Sequence, residues 1–197
     1  TIFLILNDLL KEKKLIEDKN IVNDIVLLKS QAERCKEILK KLSKNPLKIK
    51  DKFLEKVKIT DLIKINFEKF NKNKKLIINK NIKDYEPEII YKDEIMYALG
   101  NIIQNAILYS NNIITADLNY SETNVKITIS DDGKGFSKDI IDKLGEPYVS
   151  KNNQGMGLGI FIAKNLIENM GGNLNFYNSK DDHAVVEIVF DNSILSI

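Results

Sequence analysis

Eight of the nine glycines lie between Gly133 and Gly172. That gathers the tight turns into one stretch and leaves the rest of the chain free to follow helix and strand periods. Gly155-Met156-Gly157-Leu158-Gly159-Ile160 sets three of these glycines at alternate positions, directly before the apolar helical run FIAKNLIENM. Glycine lets the backbone approach a ligand closely, and the helix N-terminus behind it offers unpaired N–H groups and the positive end of the dipole. Such a loop suits a phosphate chain. It also suits a plain turn, and the motif by itself does not choose.

The regular segments around the glycines predict the architecture. A helix starts near Thr60 or Asp61, either of which could cap it. Residues 76–82 and 88–91 read as strands, and a helix capped near Asp93 runs through MYALGNIIQNAILYS. Residues 112–120 and 124–131 alternate apolar and polar positions as half-buried strands do. A loop-rich segment with a short helix fills 132–156, and the helix after the glycines stops at Gly171-Gly172. NLNFYNS and HAVVEIVF close the chain as a hairpin around Asp181-Asp182. Strands segregated from helices imply an α+β fold, a two-layer sandwich whose mixed sheet is covered on one face.

Residues 1–45 carry a different pattern. Ile21, Ile25, Leu28, Ala32, Cys35, Leu39 and Leu42 alternate spacings of four and three, an a/d seam for packing on another helix. With the helix at about 1–14 this makes an antiparallel hairpin. A lone hairpin buries too little to be stable, so a homodimer through a four-helix bundle is expected. The Lys-rich stretch 46–58 with Pro46 reads as a linker, and 59–197 as the second domain.

Composition excludes some classes. With 30 basic and 28 acidic residues the net charge is +2, which is not a nucleic-acid-binding balance. One cysteine rules out an internal disulfide. No apolar run has the length of a membrane span. The chain opens on Thr1 in an apolar helical pattern without a cap, and reads as cut at its N-terminus.

Two further segments could carry chemistry. Asp131-Asp132-Gly133-Lys134-Gly135-Phe136 ends a strand; an acid there can accept a hydrogen bond from an exocyclic amine such as the 6-amino group of adenine, with the glycines turning under a flat ring. Asp-Gly is also an ordinary turn dipeptide. Asn101 and Asn105 stand four apart on one helix face, in a helix interior where Asn is a poor choice. An amide oxygen there could serve a hydrated Mg²⁺; the bland alternative is an exposed polar face in an Asn-rich chain.

Taken together and in this order, NIIQNA, DDGKGF and GMGLGI resemble the N, G1 and G2 boxes of Bergerat-fold ATPases in the form found in sensor histidine kinases. The likeness covers roughly residues 55–192 and implies ATP and Mg²⁺ as cofactors. It implies that Asn105 holds the metal with Asn101 in support, and that Asp131 reads adenine with Gly133 and Gly135 lining the base. Gly155, Gly157, Leu158 and Gly159 would wrap the triphosphate, 137–154 would be a lid, and Lys151 would reach a terminal phosphate. Two positions depart from the pattern: Leu108 stands where the family often has Lys, and the lid's aromatic role falls to Tyr148 in Gly145-Glu146-Pro147-Tyr148. Hydrolytic relatives carry a Glu four residues before the metal Asn. Here that place is Asn101, which cannot act as a general base, so phosphoryl transfer is expected over hydrolysis.

Residues 1–43 resemble the dimerisation and phosphotransfer hairpin of histidine kinases, and LLKSQAERCKEILKKLS is similar to the RegB/PrrB redox-responsive group. The resemblance implies a response-regulator receiver domain as partner. It also implies a cytoplasmic portion, with any inner-membrane anchor in segments outside this chain. The family's acceptor His would lie ahead of TIFLIL; the single histidine, His183, reads as an ordinary strand residue beside a turn. No catalytic residue is therefore assigned within the chain. Cys35 is either a packing residue or, with Arg34 and Lys36 beside it, a redox-sensing thiol. The rival readings are a serine kinase of the anti-sigma class, a conformational ATPase clamp, and a coiled-coil adaptor with a dead nucleotide domain.

Overall fold

A computed structural model describes residues 56–71, 73–82, 85–149 and 157–195. The hairpin 1–45 with Cys35, most of the linker, Lys151 and Gly155 lie outside the described residues. In chain order the elements are β1 (Lys56–Val57), α1 (Ile59–Phe70), β2 (Lys75–Asn81), β3 (Ile89–Ile90), α2 (Asp93–Tyr109), β4 (Ile113–Tyr120), β5 (Asn124–Asp131), α3 (Lys138–Ile141), α4 (Gly159–Asn169), β6 (Asn173–Asn178), β7 (Ala184–Asp191) and α5 (Asn192–Leu195).

Five strands form one mixed sheet in the order β2-β4-β5-β7-β6. Only β2 and β4 run parallel, and α2 lies in the long crossover that a parallel pair requires. The other neighbours are antiparallel, with β4–β5 and β6–β7 as hairpins. Strand alternation divides the faces. Ile114, Ala116 and Leu118 of β4, Val125, Ile127 and Ile129 of β5, and Val186, Ile188 and Phe190 of β7 are buried. They form one core with Ile63 of α1, Leu99, Ile102 and Ile103 of α2, and Ala163 and Ile167 of α4. The opposite face is half-exposed and polar. Asn79 Nδ2 donates to Asp117 Oδ1 at 2.8 Å across the parallel pair, and Lys126 meets Glu187 at 3.1 Å. The two-layer sandwich covered on one face is therefore what the described residues form.

The start of α1 differs from the sequence expectation. Neither Thr60 nor Asp61 caps it; the N-cap is Lys58, with no side-chain cap bond. The capping group comes from elsewhere in the chain. Glu86, buried, accepts from Thr60 N at 3.0 Å and Thr60 Oγ1 at 2.8 Å. It also accepts from Tyr120 of β4 and Lys80 of β2. A carboxylate satisfying an orphan N–H in the first turn does the work of a cap from a distance. Lys56–Val57, expected as linker, pair with Ile89–Ile90. The N-cap of α2 is Lys92, with Asp93 in its first turn.

Candidate functional site

The strand period decides which of two adjacent acids faces the helices. Along β5 the inward positions are Val125, Ile127, Ile129 and then Asp131, at the strand's end. Asp131 is 7% exposed, and its Oδ1 accepts from Gly133 N at 2.9 Å. Burial holds its carboxyl above the usual range; the Gly133 N–H and His183 pull it down, and Asp132 pushes it up. Asp132 serves the turn instead. Its carboxylate accepts from Asn112 N at 2.9 and 3.0 Å, tying the end of α2 to β5. Burial would raise its carboxyl, but the backbone hydrogen bonds outweigh that and hold it low.

The glycines that were expected to line a ligand are first of all packed on protein. A Cβ on Gly133 would collide with the Tyr109 carbonyl at the end of α2. Gly135 has φ +70° and lies against the Asp182 carbonyl, so the reason for glycine there is internal. Gly157, φ +64°, sits against the Val149 backbone, where a Cβ would be 2.6 Å from the Val149 carbonyl carbon. Leu158 is the N-cap of α4 and Gly159 its first residue.

Helix α2 joins the two ends of the site. A Cβ on Gly159 would lie 3.4 Å from Asn101 Oδ1, so Asn101 abuts the start of α4. Asn101 Nδ2 donates to Tyr97 O at 2.9 Å, one turn back. Eight residues further on, about 12 Å along a helix axis, Tyr109 abuts the Asp131 turn. That is the scale of an extended nucleoside triphosphate. Asn105 stands between them, half-buried, and its amide hydrogen-bonds to nothing among the described residues. One neutral oxygen donor fits Mg²⁺, which keeps waters and phosphate oxygens for its other positions. Among the described residues no group of three or more His, Cys, Asp or Glu could hold a metal unaided. Asn101 thus meets the start of α4, and Tyr109 of the same helix meets the Asp131 turn. Leu108 is 53% exposed and Tyr148, φ +66°, is 74% exposed, so neither is spent on the core.

Three residues assigned no site role from sequence lie against the same turn. Tyr109 touches the Asp131 turn through its backbone and is half-exposed. His183 lies just ahead of β7, and its Nδ1 is 3.0 Å from Gly133 O. Asn178 brackets Phe136: Phe136 N donates to Oδ1 at 2.8 Å, and Nδ2 donates to Phe136 O at 2.9 Å. No local pattern signals contacts between residues 42 and 50 positions apart.

Residues 91–194 match the family described as histidine kinase-, DNA gyrase B-, and HSP90-like ATPase, and the chain belongs to that family. The chain is similar to the sensor histidine kinase RegB of Cereibacter sphaeroides, at 30% identity over 92% of this chain and 42% of RegB. It therefore spans less than half the length of that relative. Among solved structures, the mycobacterial sensor histidine kinase MprB matches 70% of this chain and 97% of its own at a TM-score of 0.60 and 18% identity. The Acinetobacter baumannii histidine kinase AdeS matches 97% and 95% at a TM-score of 0.63 and 18% identity. The described domain is an ATP-binding domain of the histidine-kinase catalytic type. No helix among the described residues is long and apolar enough to cross a membrane.

Proposed function

We propose that this chain binds Mg·ATP with the base at the Asp131 turn and the phosphates at the start of α4. The whole protein would pass the γ-phosphoryl to a His outside this chain and then to an Asp of a response regulator. The observation that carries the reading is α2, which abuts Gly159 at Asn101 and the Asp131 turn at Tyr109. Asp131, ionised, accepts from the 6-amino group of adenine through Oδ2 while Gly133 N–H holds Oδ1. Asn105 offers its amide oxygen to Mg²⁺, which when bound neutralises phosphate charge. Leu158, Gly159 and the loop ahead of them, with Gly155, Gly157 and Lys151, take the triphosphate at a helix N-terminus. Asn101 cannot take a proton from water, which favours transfer over hydrolysis.

In this reading 1–45 is the dimerising hairpin, 46–58 the linker region and 59–197 the catalytic domain. The dimer would dock the regulator's receiver domain. The portion would be cytoplasmic, with any membrane anchor elsewhere in the protein. The likeness to RegB supports a redox input, for which Cys35 is the thiol available. A non-reducing gel of oxidised protein without a Cys35-dependent dimer would end that part.

Calorimetric titration with a non-hydrolysable ATP analogue tests the site. Wild type should bind, Asp131→Asn should bind at least about tenfold more weakly, and Asn105→Ala should lose the Mg²⁺-dependent part of the affinity. No binding by wild type, or equal binding by Asp131→Asn, sinks the assignment.

A further inference from the structure

The turn that would read the base is held by the β6–β7 hairpin at three points. His183 Nδ1 is 3.0 Å from the Gly133 carbonyl. The Asn178 amide makes a two-way bracket on the Phe136 backbone, at 2.8 and 2.9 Å. Between them the Asp182 carbonyl packs against Gly135, where no side chain could fit. The Phe136 ring also stands edge-on to Phe176 of β6, with centroids 6.2 Å apart. The hairpin end is itself braced. Ser179 N donates to His183 O at 2.8 Å, and His183 N donates to Ser179 Oγ at 3.1 Å. A carbonyl oxygen can only accept, so in the neutral ring Nδ1 must carry the proton.

We infer that His183 and Asn178 are positioning residues for base recognition: they fix the Gly133–Phe136 backbone, and through Gly133 N–H they fix the rotamer of Asp131. Neither side chain need touch the nucleotide. The inference rests on the reading of Asp131 as the base-reading acid. Its signature is loss of base discrimination, since a misplaced Asp131 costs the contact with the 6-amino group while the phosphate end, on α4 and α2, is left in place.

The test compares Mg²⁺ complexes of non-hydrolysable ATP and ITP analogues, the latter lacking the 6-amino donor, by calorimetry. Wild type should prefer the ATP analogue, and Asp131→Asn should lose that preference; failure of either overturns the site reading and this inference with it. Given both, His183→Ala and Asn178→Ala should weaken the ATP analogue about three- to tenfold and leave the ITP analogue unchanged. His183→Asn, whose amide N–H can replace Nδ1–H, should restore the preference. Equal weakening of both analogues, or unchanged preference in both Ala variants, overturns the inference while the site reading stands. A measurement on folded wild type does not depend on the variants. Long-range ¹H–¹⁵N correlation should find neutral His183 as the Nδ1–H tautomer, and the Nε2–H tautomer contradicts the inference.

Discussion

Asp131 and Asp132 are the same side chain at successive positions with opposite assignments. Asp131 lies on the buried face with one N–H for support, and burial raises its carboxyl. Asp132 lies at the turn, and its backbone donors hold it low. Two consequences follow from the raised value. Folding favours the protonated form of Asp131, so its ionised form weakens the fold at neutral pH. Asp131→Asn should therefore bind ATP poorly yet resist urea as well as wild type or better, by on the order of 1 kcal/mol. The base needs an acceptor, so affinity should fall as pH drops through the folded pKa, beginning at a higher pH than an ordinary aspartate would give. A pH series of analogue affinity checks this, with Asp131→Asn lacking that component. His183 extends the same lesson. By its sequence it was an ordinary strand residue; its ring reaches the Gly133 carbonyl because the hairpin end folds back beside that turn.

At the scale of elements, α1 is fastened by a residue 26 positions away in the chain. Burial would raise the Glu86 carboxyl, but hydrogen bonds from Thr60 N, Thr60 Oγ1, Tyr120 and Lys80 outweigh it and hold the value below 4.5. Burial and Glu86 in turn keep Tyr120 protonated, so it donates. A depressed carboxylate contributes stability above its unfolded pKa and loses it as pH falls through the folded one. Glu86→Ala should cost about 2–3 kcal/mol in urea denaturation at pH 7, and the gap to wild type should close only below pH 4.5. A gap independent of pH would show that packing, not the charge, was lost. Helix α2 plays a second part: it contributes Leu99, Ile102 and Ile103 to the core on one side and carries Asn101 and Asn105 on another.

At the scale of the described domain, α1, α2 and α4 pack on one face of the sheet, and the proposed site runs along α2 from the start of α4 to the end of β5. Leu118, 1% exposed in β4, lies in the core. Leu118→Ala should cost about 2–5 kcal/mol of stability while leaving analogue affinity of the folded protein unchanged. Thermal melts with and without the analogue separate the two effects, and a matching loss of affinity would mean that core and site do not act independently.

Much of this was legible in the sequence because its physics is local. Period-two alternation over 112–120 and 124–131 fixed both strands to within a residue, and the helical period with Gly171-Gly172 fixed the end of α4 to within two residues. Paired amides on one helix face and an acid at a strand's end depend only on the 3.6 and 2.0 residue periods. The caps failed for the opposite reason: α1 starts at Ile59, so Thr60 and Asp61 stand inside its first turn, where Glu86 meets the Thr60 N–H and hydroxyl. Sequence alone therefore determined the longer elements and which of their faces are apolar. Tertiary structure decided which glycines are required by the protein's own backbone, and that Asn178, His183 and Glu86 hold the parts in register. Those contacts join residues 26 to 50 positions apart, and they come into being only when the sheet and its helices close on a shared core.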